Sequence, residues 1–435
     1  MEKYSSYKDS GIYFLPELPS SWQVRKAKYL FNEENRPVRP EDEIVTCFRD
    51  GQVTLRKNRR LEGFTNSMKE IGYQGVRKGD LVIHNMDAFA GAIGVSDSDG
   101  KSTPVYSCCT PKSPDVNQYY YCYLLRYLAH NGFILSLAKG IRERSTDFRF
   151  NDFKELYLPL PSAEEQNAMV AYLDAATAKI DEAIAQQQRM IDLLNERKQV
   201  IIDMAALHGL NPDVEMIDSG NDWIGLVPAH WRKNKFRYLF KTRTGITFTK
   251  AQLEEEGEPV ISYGQIHSKD NWGASVNPEL IRHIPALLTK GKEGALAIPG
   301  DFLFADTSED FEGCGNNVFI DSEPVYAGYH TILAKKNNEE YGPYLAYLFT
   351  STGWRGQLRS MVNGVKVYSI TQTILNSVNV VLPPIDEQKA IADYISERVV
   401  KLDEGVKRHK EYIKVLQERK QIIINDVVTG KVRIV

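Results

Sequence analysis

Two long stretches of the chain repeat apolar residues three and four positions apart. They run from about residue 161 to 206 and from about 383 to 428, each begins with proline and acidic residues, and Gly405 is the one glycine within them. This spacing marks the a and d positions of a coiled coil, and proline with acids favours a helix start. The predicted seam consists of Leu173, Ile180, Ile184, Ile191, Leu194 and Ile201, then Ile395, Leu402, Val406, Ile413, Leu416 and Ile423. We therefore expect two helices of about 40 residues, each on the order of 60 Å long, that pair antiparallel.

Polar residues interrupt the seam at the same places in both stretches. Gln187 corresponds to His409, and Lys198 corresponds to Lys420. Such breaks usually fix register and partner choice at some cost in stability. A role for His409 as a general base is disfavoured, because it lies in mid-helix without a catalytic partner at a readable spacing. Gly405 is expected to loosen or kink the second helix locally.

The chain contains an internal repeat. Asp9-Ser10-Gly11 returns 209 residues later as Asp218-Ser219-Gly220, and Glu196-Arg197-Lys198-Gln199 returns 222 residues later as Glu418-Arg419-Lys420-Gln421. Residues 35–140 and 243–364 share only faint similarity between these anchored ends. Uneven divergence after an old duplication is one explanation. Two middle regions that perform different tasks on one common frame explain the pattern better.

The variable regions mix strand-like and helical patterns. Residues 53–55 and 79–84 are typical of strands, and residues 119–128 and 344–349 of helices. We predict an α+β protein, with two α/β-mixed domains joined by two long helices in an antiparallel coiled coil and a pseudo-two-fold internal repeat. The predicted parts are a first variable domain at 1–160, a first long helix at 161–211, a second variable domain at 212–382 and a second long helix at 383–435.

Basic residues cluster inside the variable regions, although the net charge of the chain is only −3. Local patches rather than the total charge set the field at an interface. Lysine and arginine hold phosphates, and arginine can also bind a guanine edge. The candidate DNA contacts are Arg56, Lys57, Arg59, Arg60, Arg142, Arg144, Arg149, Lys241, Arg243, Lys290, Lys292, Arg355, Arg359 and Lys366. A solvated charged face is the alternative for each cluster.

Motifs for catalysis are incomplete. The glycine-rich residues 311–315 outline an S-adenosylmethionine loop but lack the partner motif of methyltransferases, and Gly100-Lys101-Ser102 has Val95 where a phosphate loop needs glycine. The five cysteines and the histidines have no metal-ligand spacing. We expect no catalytic residues, no metal and reduced thiols. With no secretory pattern and no apolar run long enough to span a bilayer, we expect a cytoplasmic protein.

The repeated motifs resemble a known family. An Asp-Ser-Gly start with Pro-x-x-Trp, a variable region, a Pro-x-x-Glu-Glu-Gln helix and then the whole arrangement again is similar to the specificity subunit of type I restriction-modification systems, the HsdS family. The similarity is strongest in residues 158–166, in residues 382–388 and in the two Glu-Arg-Lys-Gln segments.

The resemblance implies a division of labour among subunits. Each variable domain would be a target recognition domain for one half of a bipartite, gapped site in double-stranded DNA. The helices would set the gap and dock two modification subunits, which carry S-adenosylmethionine and methylate adenine. Restriction subunits, where present, would use ATP and Mg²⁺ to cut. This chain would be non-catalytic and bind no cofactor. The rival interpretations are a coiled-coil scaffold without DNA readout and a stand-alone nuclease or methyltransferase.

Overall fold

The computed structural model describes residues 2–59, 71–137, 147–362 and 367–435. The chain divides into two compact units, Met1–Gln187 with Glu411–Val435 and Gln188–Lys410. Each unit contains one variable domain and a part of each long helix. The helices are α1 (Gln118–His130), α2 (Phe133–Ser136), α3 (Phe150–Phe153), α4 (Ala163–His208), α5 (Phe236–Leu239), α6 (Tyr263–Ile266), α7 (Gly342–Thr350), α8 (Thr352–Met361), α9 (Gln372–Ser377) and α10 (Ile385–Val428).

The strands are short and lie in the variable domains and their flanks. Those of the first unit are β1 (Tyr7–Ile12), β2 (Leu15–Pro19), β3 (Gln23–Lys26), β4 (Phe31–Glu34), β5 (Val45–Cys47), β6 (Val53–Leu55), β7 (Gln74–Val76), β8 (Leu81–His84), β9 (Ile93–Val95), β10 (Gly100–Ser102), β11 (Tyr106–Pro111) and β12 (Tyr157–Leu160). Those of the second unit are β13 (Met216–Asp218), β14 (Leu226–Pro228), β15 (Arg232–Lys235), β16 (Phe240–Thr244), β17 (Glu258–Ile261), β18 (Arg282–Ile284), β19 (Leu296–Ala297), β20 (Phe302–Ala305), β21 (Thr307–Ser308), β22 (Asn317–Phe319), β23 (Val325–Ala327), β24 (Thr331–Lys336), β25 (Tyr368–Ser369) and β26 (Asn379–Leu382).

The two long helices confirm the prediction from the heptad spacing. Helix α4 has 46 residues and α10 has 44. A capping box begins α4, since Glu165 N donates to Ser162 Oγ at 3.2 Å and Ser162 N donates to Glu165 Oε2 at 3.0 Å. Gly209 and Gly430, with φ of 79° and 73°, follow the two helix ends, where only glycine adopts the left-handed conformation at low cost.

The long helices pack antiparallel within each unit. In the first unit Leu173 shares a core with Ile424 and Val427, and further along α4 Asp181 contacts Lys420. In the second unit Ile202 of α4 shares a core with Ile395 of α10. The twelve predicted seam residues are all buried or half-buried, as expected for residues facing a neighbouring helix.

Gly405 does not interrupt α10, which is helical on both sides of it. A Cβ at this position would lie 3.3 Å from Leu194 Cδ1 of α4. The glycine therefore permits close approach of the two helices inside the second unit.

Each variable domain contains its own central four-stranded sheet, and the two sheets have equivalent strand orders although the domain sequences are dissimilar. The strand order is β4-β11-β8-β9 in the first domain and β16-β24-β20-β22 in the second, antiparallel throughout. Helix α1 packs on β9 and α7 packs on β22. The second domain adds a further sheet of order β18-β17-β23-β19. The central sheet with its packed helix therefore occurs in both domains, whereas the sheets added to it differ.

A faint sequence similarity marks the same turn in both sheets. Gly79 and Gly300 have φ of 93° and 103°, and the aspartates after them are 2% exposed. Asp80 accepts a hydrogen bond from Arg77 N at 2.8 Å, and Asp301 accepts one from Ile298 N at 3.0 Å. These residues recur because they close the turn that leads into a central strand.

Candidate nucleic-acid interface

A tryptophan joins each variable domain to the start of a long helix. Trp22 Nε1 donates to Glu165 Oε1 at 3.2 Å in the first unit, and Trp231 Nε1 donates to Glu387 Oε1 at 3.1 Å in the second. Both indole rings are buried. The repeated Pro-x-x-Trp motif and the repeated glutamate are thus the two sides of one joint.

A buried glutamine completes the joint. Gln166 Oε1 accepts from Asn117 N and Gln388 Oε1 accepts from Tyr341 N, both at 2.8 Å. Their Nε2 atoms donate to the carbonyls of Pro161 at 2.9 Å and of Pro383 at 2.8 Å. Each glutamine therefore ties the segment before α1 or α7 to the first turn of a long helix.

Tyrosines secure the far ends of the same helices. Tyr120 Oη donates to Val428 O at 2.9 Å in the first unit, and Tyr344 Oη donates to Ala206 O at 3.1 Å in the second. Ala206 and Val428 are 222 residues apart, the offset of the helix repeat. Each domain is thus fixed to the start of one helix and the end of the other, which holds its surface in a defined orientation.

Matched ion pairs occupy the lysine breaks of the seam. Lys198 Nζ lies 2.7 Å from Asp403 Oδ1 in the second unit, and Lys420 Nζ lies 2.6 Å from Asp181 Oδ1 in the first. Both members of one pair are repeat equivalents of the other pair. Partly exposed ion pairs contribute little stability, about 0–1 kcal/mol, so their main effect is on helix register.

The basic run of the first domain follows β6. Lys57 pairs with Glu43 at 2.5 Å, and Arg59 pairs with Asp50 at 2.6 Å. Arg56 Nε donates to Thr46 Oγ1 at 3.2 Å. Lys57 and Arg59 lie on the surface, where they can exchange an acidic partner for a phosphate.

Other predicted contacts of the first domain are placed only in part. Arg149 precedes α3, is exposed, and pairs with Asp147 at 2.6 Å. Arg60, Arg142 and Arg144, together with Lys366 of the second domain, lie outside the described residues. Their role as DNA contacts stays a prediction.

Two basic clusters that are distant in sequence meet in the second domain. Arg243 of β16 and Lys292 line one groove of about 630 Å³, whose wall also contains Gly245 and Gly291. Lys241 and Lys290, in the same two segments, are exposed. Glycines permit a ligand backbone to approach closely, so this groove can accept an anionic chain.

Arg355 and Arg359 of α8 have a different setting. Arg355 donates to Cys314 O at 3.2 Å and Asn316 Oδ1 at 2.6 Å, and Arg359 Nη2 lies 3.1 Å from Glu312 Oε2. Burial, followed by the charge of Arg359, lowers the pKa of Arg355 to about 10. Both guanidinium groups hold the loop 312–316, one wall of a cavity of about 690 Å³.

A polar cluster at the end of the second central sheet was missed by the sequence reasoning. His330 has φ of 54°, and its Nδ1 lies 2.9 Å from Asp306 Oδ1. The rings of Tyr263 and Tyr329 pack against the imidazole at centroid distances of 5.6 and 4.1 Å. No local pattern indicates this cluster, because pairing of β20 with β24 brings residues 306 and 330 together.

The corresponding sheet end in the first domain carries different groups. His84 ends β8 and Asp87 follows it, and Arg49 Nη2 lies 2.8 Å from Asp87 Oδ1. Burial lowers the pKa of His84. The same place in the fold thus presents two different polar surfaces.

The described ranges contain no cluster of histidine, cysteine and acidic side chains suited to a metal. Within those ranges, no helix combines the length and apolarity needed to cross a membrane. The cysteine thiols are free, and burial raises the pKa of Cys108 to about 12 and that of Cys122 to about 11.

Comparison with known proteins identifies proteins that are similar to all or part of this chain. The family model for the type I restriction modification DNA specificity domain matches residues 228–411. The putative type I restriction enzyme MjaX specificity subunit of Methanocaldococcus jannaschii is 22% identical, over 96% of this chain and 95% of its own. The type I restriction enzyme EcoKI specificity subunit of Escherichia coli K12 is 23% identical, over 48% of this chain and 44% of its own.

A solved structure has the same fold along nearly the whole chain. It comes from work on complex assembly and conformational transition of the type I R-M system. It covers 95% of this chain and 99% of its own at a TM-score of 0.67 and 16% identity. The resemblance to the specificity subunits of type I restriction-modification systems, expected from the sequence, is confirmed by the family model, by the relatives and by this fold.

Proposed function

We propose that this chain recognises a bipartite, gapped sequence in double-stranded DNA and directs its methylation by a type I restriction-modification complex. The observation that carries the proposal is the pair of matched sheets, which end in different polar surfaces. Phosphate contacts to lysine and arginine would supply most of the affinity, and a few base-edge contacts would supply specificity. Two domains on one frame gain affinity through effective concentration.

The proposed DNA contacts are those on accessible surfaces. In the first domain they are Lys57, Arg59 and Arg149. In the second they are Lys241, Arg243, Lys290 and Lys292, of which Arg243 and Lys292 line the groove. Arg355 and Arg359 would act indirectly, because their guanidinium groups already hold the loop 312–316.

The proposed partners are two copies of one modification subunit. Each unit exposes an apolar stripe on a long helix beside the buried seam. Met190, Leu193 and Val200 are 43, 56 and 59% exposed, and their repeat equivalents Tyr412, Val415 and Ile422 are 49, 55 and 58% exposed. Their spacing of three and seven residues places each stripe on one helix face, which suits a partner helix.

Catalysis and cofactors would reside on the partners. S-adenosylmethionine would be bound by the modification subunits, and ATP with Mg²⁺ by a restriction subunit when one is present. The chain itself would supply sequence readout and assembly.

Methylation mapping tests the proposal. DNA from cells that co-express this chain with its cognate modification subunit should carry methylated adenine in one gapped, two-part motif. The motif should disappear when this chain is omitted. A stable complex that leaves methylation unchanged would instead favour a coiled-coil scaffold without DNA readout.

A further inference from the structure

The segments that begin the two variable domains match in sequence and in exposure. Residues 22–31 and 231–240 each begin with tryptophan and end with Tyr-Leu-Phe. Trp22 and Trp231 hydrogen-bond to the long helices. The leucine and phenylalanine at the ends of both segments are buried core residues. Packing explains why these residues remain the same.

Tyr29 and Tyr238 have no such explanation. Their side chains are 64 and 59% exposed, although they are identical and occupy equivalent positions. Neither belongs to a hydrophobic core cluster of the described ranges. Packing therefore does not account for the presence of tyrosine at the same exposed position in both halves.

A cation accompanies each tyrosine. Lys28 Nζ lies 5.6 Å from the centroid of the Tyr29 ring, and Arg237 Cζ lies 5.0 Å from that of Tyr238. Arg237 Nη2 is also 3.2 Å from Tyr238 Oη. Each half therefore presents a tyrosine on the surface with a positive charge near its ring.

The surroundings of both tyrosines are basic. Residues 22–31 contain Arg25, Lys26 and Lys28 and no acid, and residues 231–240 contain four lysines or arginines and no acid. Glu155 pairs with Lys26 at 2.7 Å and with Lys28 at 3.1 Å, which cancels one of the three charges in the first segment. Glu340 pairs with Arg232 at 2.8 Å, which cancels one of the four charges in the second. Both surfaces thus retain an excess of positive charge, which is complementary to an anionic partner.

We propose that these two tyrosine–cation pairs bind the DNA sugar-phosphate backbone, one pair beside each half-site. The inference rests on the proposed function and adds a site that the predicted contacts do not include. Backbone phosphates are the same whatever the base sequence. Identical residues can therefore serve both halves, whereas base-reading surfaces must differ. The tyrosine hydroxyl donates to a phosphate oxygen, and the adjacent cation neutralises its charge.

The test compares two double variants in the full chain with its modification subunit. Tyr29→Phe with Tyr238→Phe removes only the hydroxyls, and Lys28→Gln with Arg237→Gln removes the charges. Binding to a duplex with the methylated motif is measured over a series of salt concentrations. We expect a loss of about two- to tenfold per hydroxyl. The charge variant should reduce the salt slope by about 2, close to 1 per phosphate contact.

The controls distinguish this inference from a protein interface at the same residues and from failure of the proposed function. Tyr13→Phe changes a tyrosine that is 93% exposed and has Asp222 at the equivalent position, so it should bind like the unmodified chain. The methylated motif should stay the same in all variants. Unchanged affinity and slope in both double variants would refute the inference while leaving the proposed function intact. Weaker binding of the modification subunit by the variants, with DNA affinity and salt slope unchanged, would refute the inference in favour of a protein interface. Absence of any motif with the unmodified chain would remove the proposed function itself.

Discussion

Single side chains in the repeated motifs connect each variable domain to a long helix through buried hydrogen bonds. Gln388 is fully buried and satisfies Tyr341 N, Pro383 O and Glu340 Oε2. A buried polar group that loses its partner costs about 1–3 kcal/mol. This cost explains why the buried glutamine recurs at both helix starts while neighbouring surface residues differ.

Gln388→Leu should therefore destabilise the second unit by about 1–3 kcal/mol, because Tyr341 N and Pro383 O lose their partners. Thermal or denaturant unfolding of the full chain measures the change. Ala390→Leu places the same side chain on an exposed position two residues away and should be nearly neutral. Equal stability of the two variants would show that the hydrogen bonds of Gln388 do not stabilise the second unit.

The contacts of individual side chains were the least predictable feature from the sequence. Arg355 and Arg359 were predicted as DNA contacts from charge alone, and the structure places both against the loop 312–316. The cluster around His330 gave no pattern to find, since strand pairing over long sequence separation creates it. Side-chain partners of this kind depend on tertiary contacts that no local pattern encodes.

At the scale of elements, the long helices and single strands such as β6 and β8 were predictable, whereas the order of strands in the sheets was not. Apolar spacing over more than 40 residues specifies a helix and its buried face. The central strands are three to six residues long, and their order β4-β11-β8-β9 depends on pairing between distant segments. Both domains have the same strand order, and the turn at Gly79 or Gly300 and the buried glutamine contacts recur in both. These features are few residues within regions that otherwise differ.

The matched ion pairs give a test of register. Asp181→Lys opposes Lys420 with a like charge and should weaken helix pairing in the first unit by up to about 1 kcal/mol, a small effect because both groups are partly exposed. Adding Lys420→Asp restores an attractive pair and should recover the loss. A double-mutant cycle on unfolding free energies measures the coupling. A coupling energy of zero would show that the pair does not contribute to register.

For the whole molecule, the helices are expected to set the distance between the two readers. Insertion of one heptad at equivalent positions of α4 and α10 preserves the seam, since seven residues restore the a and d pattern. Methylation mapping should then return the two original half-sites with a longer unread gap. A changed half-site with an unchanged gap would show that the helices do not determine the spacing.

The two domains are proposed to recognise DNA independently of each other on one repeated frame. Replacing residues 9–166 with the equivalent residues 218–388 gives a chain with two copies of the second domain. Mapping of adenine methylation with this chain tests the claim most directly. We predict a gapped motif that carries the second half-site at both ends, in inverted orientation. Retention of the original asymmetric motif would contradict the account, because half of the sequence readout would then come from elsewhere.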